Sequence, residues 1–409
     1  MVDTDGDGSP WPPSIRQVHI RNYKSVGAAT VELGPLTILV GANGAGKSNF
    51  IDALSFVRDC LADSIELAFK NRGGIASARR RSGGHPTHIG IRLVIDLARH
   101  QRADYSFEIA AQRGERFSVA RERCWVQDFL GESHGFEVRE GQFTREIPGI
   151  RSQVAPDRLA LFAASATEEF RPLFDFLTGM RFYSILPVRL RELQEPDSGD
   201  FLSGDGGNAA AVLKRLQDED PDRYQRICRL LATAVEGIES VGHDAVGQFE
   251  TLEFRQDVGL RYPWTFGAYN VSDGTLRMLG LLLAVFQLGP ASVLSIEEPE
   301  ATVHPAVTEQ IVEVLRDASR QRQILITTHS PDLLDYPEIG DESIRVVTKE
   351  RNSTVIAPLS EVSREAVQRH LYTSGELLRL GELEPDVPAA ELLTSQLPLF
   401  GPPSRADRP

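Results

Sequence analysis

The sequence predicts an α/β fold, a mainly parallel sheet flanked by helices, and three stretches carry that prediction. The first is Leu36 to Val40, a short β-branched run that reads as a buried strand. It leads into Gly41-Ala42-Asn43-Gly44-Ala45-Gly46-Lys47-Ser48, which fits the pattern G-x-x-x-x-G-K-[ST] at every defined position. Phe50, Ile51, Leu54, Val57 and Leu61 follow at helical spacing. The second stretch is the apolar run Ser292 to Ile296, which ends in Glu297-Glu298-Pro299-Glu300. The third is Gln323 to Thr328, an apolar strand that ends in His329-Ser330-Pro331.

Strand, Gly-rich loop and helix form the arrangement that phosphate binding needs. Glycines let the backbone wrap closely and aim successive N–H groups at phosphate oxygens. The helix N-terminus adds a dipole that favours anions. Gly41, Asn43, Gly44, Gly46, Lys47, Ser48 and Asn49 are therefore the candidate nucleotide contacts. Lys47 would reach the β- and γ-phosphates of ATP, and the Ser48 hydroxyl would hold Mg²⁺. A chance Gly-rich turn would lack the flanking strand and helix.

The chain has 409 residues, 41% of them hydrophobic, enough for a large core in two or three packed units. Its formal net charge of -14 sets up no global field toward nucleic acid or an acidic membrane, so such contact needs a local basic patch. Cys60, Cys124 and Cys228 lie far apart with no C-x-x-C, which implies a reducing, cytoplasmic setting without a disulfide framework or zinc knuckle. The most apolar run, Leu279 to Phe286, is too short to span a bilayer. The acidic, Gly-rich start is unlike a secretory signal.

Taken in order, residues 1–14 are expected to be a disordered leader, rich in Asp, Gly and Pro. Residues 15–150 read as an N-terminal lobe. Its strands are expected at Ile15–Ile20, Ala29–Leu33, Leu36–Val40, His88–Leu97, Tyr105–Ala110, Phe117–Val126 and Phe136–Glu140. Within it, Phe69 to Arg102 holds eight Lys and Arg against one carboxylate, Asp96. Arg79-Arg80-Arg81 stands between two Gly-Gly pairs and is either a solvated loop or a contact to a DNA or RNA backbone. Residues 151–240 read as a helical insertion without sustained heptads. Residues 241–383 form a C-terminal lobe, and residues 384–409 a Pro-rich, flexible tail.

Adjacent carboxylates at the end of a buried strand need a cation. Successive strand residues point opposite ways, so Glu297 would hold the Mg²⁺ shell while Glu298 orients or deprotonates the attacking water. C-terminal strand ends converge on a ligand in parallel α/β sheets, which brings His329 toward the γ-phosphate or the water. Ser272, in Val271-Ser272-Asp273-Gly274-Thr275-Leu276-Arg277, reads on its own chemistry as an ordinary N-cap.

These motifs, in this order, resemble the ABC-type ATPase heads of the superfamily that holds the SMC, RecF and OLD-nuclease proteins. They are most similar to the stand-alone bacterial ATPases labelled AAA family. The phosphate loop, S-D-G-T-L-R, E-E-P-E-x-x-x-H-P and T-T-H-S-P stand here as Gly41–Ser48, Ser272–Arg277, Glu297–Pro305 and Thr327–Pro331. Segments Asp205–Asn208 and Gly375–Leu380 share the resemblance. It implies an ABC-type P-loop ATPase head with a β-meander lobe, and a head-to-tail homodimer. In that dimer Ser272, Asp273 and Gly274 act on ATP held by the partner. The signature departs from the transporter-like L-S-G-G, and Gln101 and Gln127 are weak candidates for a Q-loop. After His329 about eighty residues remain, without the acidic constellation of a metal-dependent nuclease, so a nuclease or toxin effector is expected on a separate chain.

Three functions fit in principle: an ATP-driven switch on nucleic acid in phage defence or DNA repair, the nucleotide-binding subunit of a membrane transporter, and a non-hydrolysing ATP-gated scaffold. E-E-P-E, the insertion and the missing Q-loop speak against the transporter. Glu298 and His329 speak against the scaffold. Finally, Gln396-Leu397-Pro398-Leu399-Phe400 resembles the Q-L-x-L-F peptide that docks on bacterial sliding clamps, with a fold-back onto the core as its alternative.

Overall fold

The computed structural model describes residues 12–80, 88–98, 101–112, 115–128, 131–145, 155, 157–257, 259 and 263–401. The described residues form three sheets. The central one is six-stranded: β3 (Leu36–Val40), β9 (Arg181–Tyr183), β13 (Val293–Glu297), β14 (Gln323–Thr328), β15 (Ile344–Glu350) and β16 (Ser353–Ala357). Its order is β16-β15-β3-β14-β13-β9, parallel except for β16. The mainly parallel, helix-flanked sheet read from the sequence is this one.

Side-chain alternation along these strands divides two cores. Leu39 and Leu325 face one side, with the helix Lys47–Ala62 and the antiparallel lobe. Ile38, Val40, Ile324 and Ile326 face the other, with the helix Asp273–Phe286. A strand buried on both faces must be apolar throughout, which is why these runs stood out.

The antiparallel lobe is a seven-stranded sheet. It comprises β1 (Ser14–Tyr23), β2 (Val26–Glu32), β4 (Ile89–Asp96), β5 (Arg102–Ala111), β6 (Phe117–Gln127), β7 (Ser133–Arg139) and β8 (Gln142–Arg145), in the order β2-β1-β4-β5-β6-β7-β8. A third sheet joins β10 (Ile238–Val246), β11 (Phe249–Gln256) and β12 (Trp264–Gly267).

Segment 151–240 is mostly helical where described, but it is not helical throughout. It supplies β9 to the central sheet beside β13, and β10 begins within it. Its first apolar run splits into the helices Ala160–Ala164 and Arg171–Thr178. Pro172 stands in the first turn of the second, where its missing N–H is tolerated.

The tail departs from expectation. The helix Val387–Gln396 packs on β2 and β16, and Thr394 accepts from Thr30 N at 3.0 Å. Leu397 and Leu399 are then buried, and Leu399 fills the space over Gly90. Arg92 and Arg123, themselves buried, donate to Pro398 O at 2.6 Å and Phe400 O at 3.0 Å. Arg121 lies 4.1 Å from the Phe400 ring. Residues 384–401 therefore form a strap on the chain's own sheet. This corrects the flexible-tail reading for that stretch and favours the fold-back over clamp docking. Leu397 and Leu399 are buried, the Phe400 ring is half-buried under Arg121 and the Pro398 and Phe400 carbonyls are engaged internally, while Gln396 stays exposed. Residues 402–409 lie outside the described residues, as do 1–11 of the expected leader.

Deleting residues 397–409 would strand two buried guanidinium groups, at about 1–3 kcal/mol each. The expected outcome is a melting temperature several degrees lower by differential scanning calorimetry. An unchanged melting temperature would refute the strap.

Candidate nucleotide site

The phosphate loop closes between β3 and the helix Lys47–Ala62. Gly46 sits at φ +115, a conformation that a side chain resists, and its α-carbon faces Thr354 with no room for a Cβ. Gly41 approaches Val347 O on β15 just as closely. The loop is thus held from both flanks. Thr354 Oγ1 donates to Ala45 O at 2.8 Å and lies 2.7 Å from Ser25 Oγ. Asn49 Nδ2 donates to the same Ser25 Oγ at 2.7 Å. The proposed ligand Asn49 is therefore committed to the turn between β1 and β2.

Lys47 is buried and donates to Gly41 O at 2.6 Å and Ala42 O at 3.2 Å. Burial lowers its pKa, while Glu298, Glu297 and Glu300 pull it back up. Ser48 Oγ donates to Glu297 Oε2 at 3.3 Å. Burial raises the Glu297 pKa, and neighbouring Glu298 adds to the rise.

Glu298 turns off β13 at φ +44, held by its N–H donating to Thr327 O at 2.9 Å. That left-handed geometry costs a non-glycine residue roughly 1–2 kcal/mol. His329 Nδ1 lies 3.1 Å from Glu298 Oε1, where an Nδ1–H donates to the carboxylate. Glu300, missed as a site residue, is buried and accepts from Thr328 Oγ1 at 2.5 Å. The ends of β3, β13 and β14 thus bring Lys47, Ser48, Glu297, Glu298 and His329 together. Asn43 and Gly44 lie exposed at the loop tip.

The signature follows β12. Ser272 caps the helix Asp273–Phe286 by accepting from Thr275 N at 3.2 Å. Ser272 and Asp273 are exposed. Arg191 donates to Asp273 Oδ1 at 2.5 Å and to Val271 O at 2.9 Å, a hold that sequence spacing does not reveal. The remaining two segments of the resemblance act as props. Asp205 bonds Arg189, two residues before Arg191. Gly375 packs against Pro331 O, and Arg379 pairs with Asp332, just beyond His329.

The basic stretch is largely used by the fold. Arg72 bonds Asp52 and Asp59 on the phosphate-loop helix. Arg92 pairs with Asp104, and Arg80 donates to Ser353 Oγ at 2.6 Å. The Arg79 main chain forms an isolated β-bridge with Tyr23 while its side chain is half-buried, and Arg81 lies outside the described residues. The Q-loop candidates serve hairpins: Gln101 O accepts from Leu97 N, and Gln127 bonds Gly131 O at 3.5 Å.

Comparison with known proteins bears on the family and the fold. Residues 36–335 match the family described as "AAA domain, putative AbiEii toxin, Type IV TA system". The OLD nuclease of Thermus scotoductus is 24% identical over 365 residues, 84% of this chain and 63% of that protein. The chain thus spans less than two thirds of that relative's length. The retron Ec83 probable ATPase of Escherichia coli is 21% identical over 381 residues, 78% of this chain and 69% of that one. Among solved structures, an SMC head bound to the C-winged helix domain of ScpA superposes with a TM-score of 0.52 at 14% identity. It covers 87% of this chain and 99% of its own. That likeness establishes the fold, an ABC-type P-loop ATPase head.

Because Asn49 supports the loop through Ser25, Asn49→Ala is expected to weaken ATP binding less than about threefold while lowering stability by about 1 kcal/mol. Titration with a fluorescent ATP analogue checks this, and a loss as deep as that of Lys47→Ala would make Asn49 a direct ligand.

Proposed function

The chain belongs to this AAA-domain family of P-loop ATPases of the SMC, RecF and OLD type, and from that premise we propose that it is a Mg²⁺-dependent ATPase that dimerises head-to-tail around ATP. The observation that carries the reading is the convergence of Lys47, Ser48, Glu297, Glu298 and His329 at three adjacent strand ends.

The residues fit the groups they would hold. Lys47 now donates to two main-chain carbonyls of its own loop, partners that a triphosphate replaces with stronger, charged acceptors. Ser48 Oγ and Glu297 Oε2, 3.3 Å apart, form a hard oxygen pair suited to Mg²⁺. When bound, Mg²⁺ neutralises charge on the phosphate oxygens. Glu298, freed from His329, orients the water and takes its proton, while His329 donates to the γ-phosphate. Ser272 and Gly274 of one subunit complete the site of the other.

The likeness to an OLD nuclease and a retron ATPase supports a role in phage defence or DNA repair, as a switch on nucleic acid with a separate nuclease or toxin effector. No described helix is long and apolar enough to cross a membrane, and three buried free thiols suit a cytoplasmic setting.

Lys47→Ala is expected to abolish nucleotide binding, and Glu298→Gln to bind ATP, stall and accumulate as dimer. Phosphate release and light scattering read both. A monomer with full activity would end the trans arrangement.

Nucleic-acid contact through Arg79 and Arg81 should be weakened by their double alanine variant, with the salt slope reduced by up to about two. Arg80 is left out because Ser353 already engages it. An unchanged slope assigns the loop to another task.

A further inference from the structure

Among the described residues eight buried side-chain polar atoms have no hydrogen-bond partner, and two of them belong to charged groups of opposite sign next to the Glu298 turn: Arg277 Nε and Glu300 Oε2. The geometry brings them into one neighbourhood. Arg277 Nη1 lies 3.4 Å from the carbonyl of Glu298, two residues before Glu300, with the Glu298 carboxylate and then that of Glu300 acting on the guanidinium. Each is only half used. The Nη1 bond to Glu298 O is long, and Glu300 Oε1 accepts from Thr328. Buried charged groups left unpaired destabilise the state that holds them. Such a pair persists where a second state of the molecule satisfies it.

The surroundings show where that second state lies. Glu298 and Thr302 bracket Glu300, and both sit at positive φ, +44 and +64, although neither is glycine. Conformational strain of this kind concentrates in segments that move. Gly274 lies flush against the same loop, where a Cβ would stand 2.6 Å from Thr302 O. The signature turn therefore cannot shift without moving the Glu298–Thr302 loop. The other site groups each have a stand-in partner: Lys47 on loop carbonyls, Ser48 on Glu297, and His329 on Glu298. Arg277 and Glu300, by contrast, each keep a buried charged-group atom without a partner, one a donor and the other an acceptor.

We propose that Arg277 and Glu300 are positioning residues that close into an ion pair in the nucleotide-bound state, and that this pair locks the Glu298 turn. The proposal rests on the ATPase reading above. In the open state Arg277 holds the Glu298 carbonyl. On closure Nε meets Glu300 Oε2, and the loop is fixed at both ends of its strained segment. Ser272 and Gly274 face the partner's ATP, whereas Glu298 serves the ATP of its own subunit. The pair thus makes closure of one composite site felt by the catalytic carboxylate of the other.

The test is the melting temperature of the full chain with and without ATP and Mg²⁺, in a Glu298→Gln background that prevents turnover. Added variants are Glu300→Gln, Arg277→Met and the two together. Without nucleotide, Glu300→Gln should melt no lower than its parent, because it removes an unpaired buried charge. The ATP-induced rise should fall by roughly half in each variant and no further in the combination, since one shared interaction is lost. With Glu298 restored, phosphate release should show kcat reduced about tenfold and KM within about twofold. A full ATP-induced rise in both single variants, or losses that add in the combination, would overturn the pairing. Absence of any ATP-induced rise in the parent would instead overturn the nucleotide reading on which it stands.

Discussion

One buried ammonium sets the terms for the whole site. Lys47 lies beneath the phosphate loop with Glu297, Glu298 and Glu300 around it. Burial works against its charge, and the carboxylates work for it. Yet Lys47 and the Arg277 guanidinium, two cations, still face three carboxylates in a low-dielectric corner. Burial has already pushed the pKa values of Glu297 and Glu300 upward. The protein alone therefore leaves a site with excess carboxylate charge at the end of β13 and a glycine-rich loop at the helix N-terminus across from it. A metal–triphosphate complex answers both, which is why a single pocket can demand cation and anion together.

The parts of this site that were legible in the sequence are those whose chemistry is contiguous. The loop Gly41–Ser48, the pair Glu297-Glu298 and the switch Thr327–Pro331 each follow a strand buried on both faces, and such strands announce themselves as unbroken apolar runs. β9 does not, because three residues, Arg181 to Tyr183, are too few for a pattern. β12 stays silent for the same reason: its Trp264 and Phe266 share a face, and Phe266 stacks on Phe254, but four residues are too few for an alternation to stand out. The supports of the site were hidden for another reason. Ser25 and Thr354 meet beneath the phosphate loop although 329 residues separate them. Arg191 reaches Asp273 across 82 positions. Neither contact has a local signature.

The tail shows the opposite error, a local pattern without its context. Gln396 to Phe400 carries the spacing of a docking peptide, but the outcome depends on whether the chain's own surface offers a better partner. It does. Two buried arginines on β4 and β6 need carbonyl acceptors, and the strap supplies them at Pro398, Phe400 and Gly401. A guanidinium buried beside Asp104 still has donors to spare, and those donors decide the path of the last residues.

These constraints also determine which part of the site moves. The phosphate loop is clamped on one flank by Val347 O against Gly41 and on the other by Thr354 against Gly46, with the Ser25 bond behind. Asp52, one turn along its helix, is tied to Tyr23, Lys24 and Arg72. The strap and the helix before it then fix β2, β4 and β6 to the C-terminal lobe. Nucleotide binding has little freedom to displace this half. The opposing half differs. Glu298 and Thr302 are strained, Arg277 and Glu300 are incompletely bonded, and Ser272 and Asp273 stand in solvent. A rigid cradle facing a strained, under-bonded loop is the arrangement in which binding energy goes into moving the carboxylate rather than the phosphate.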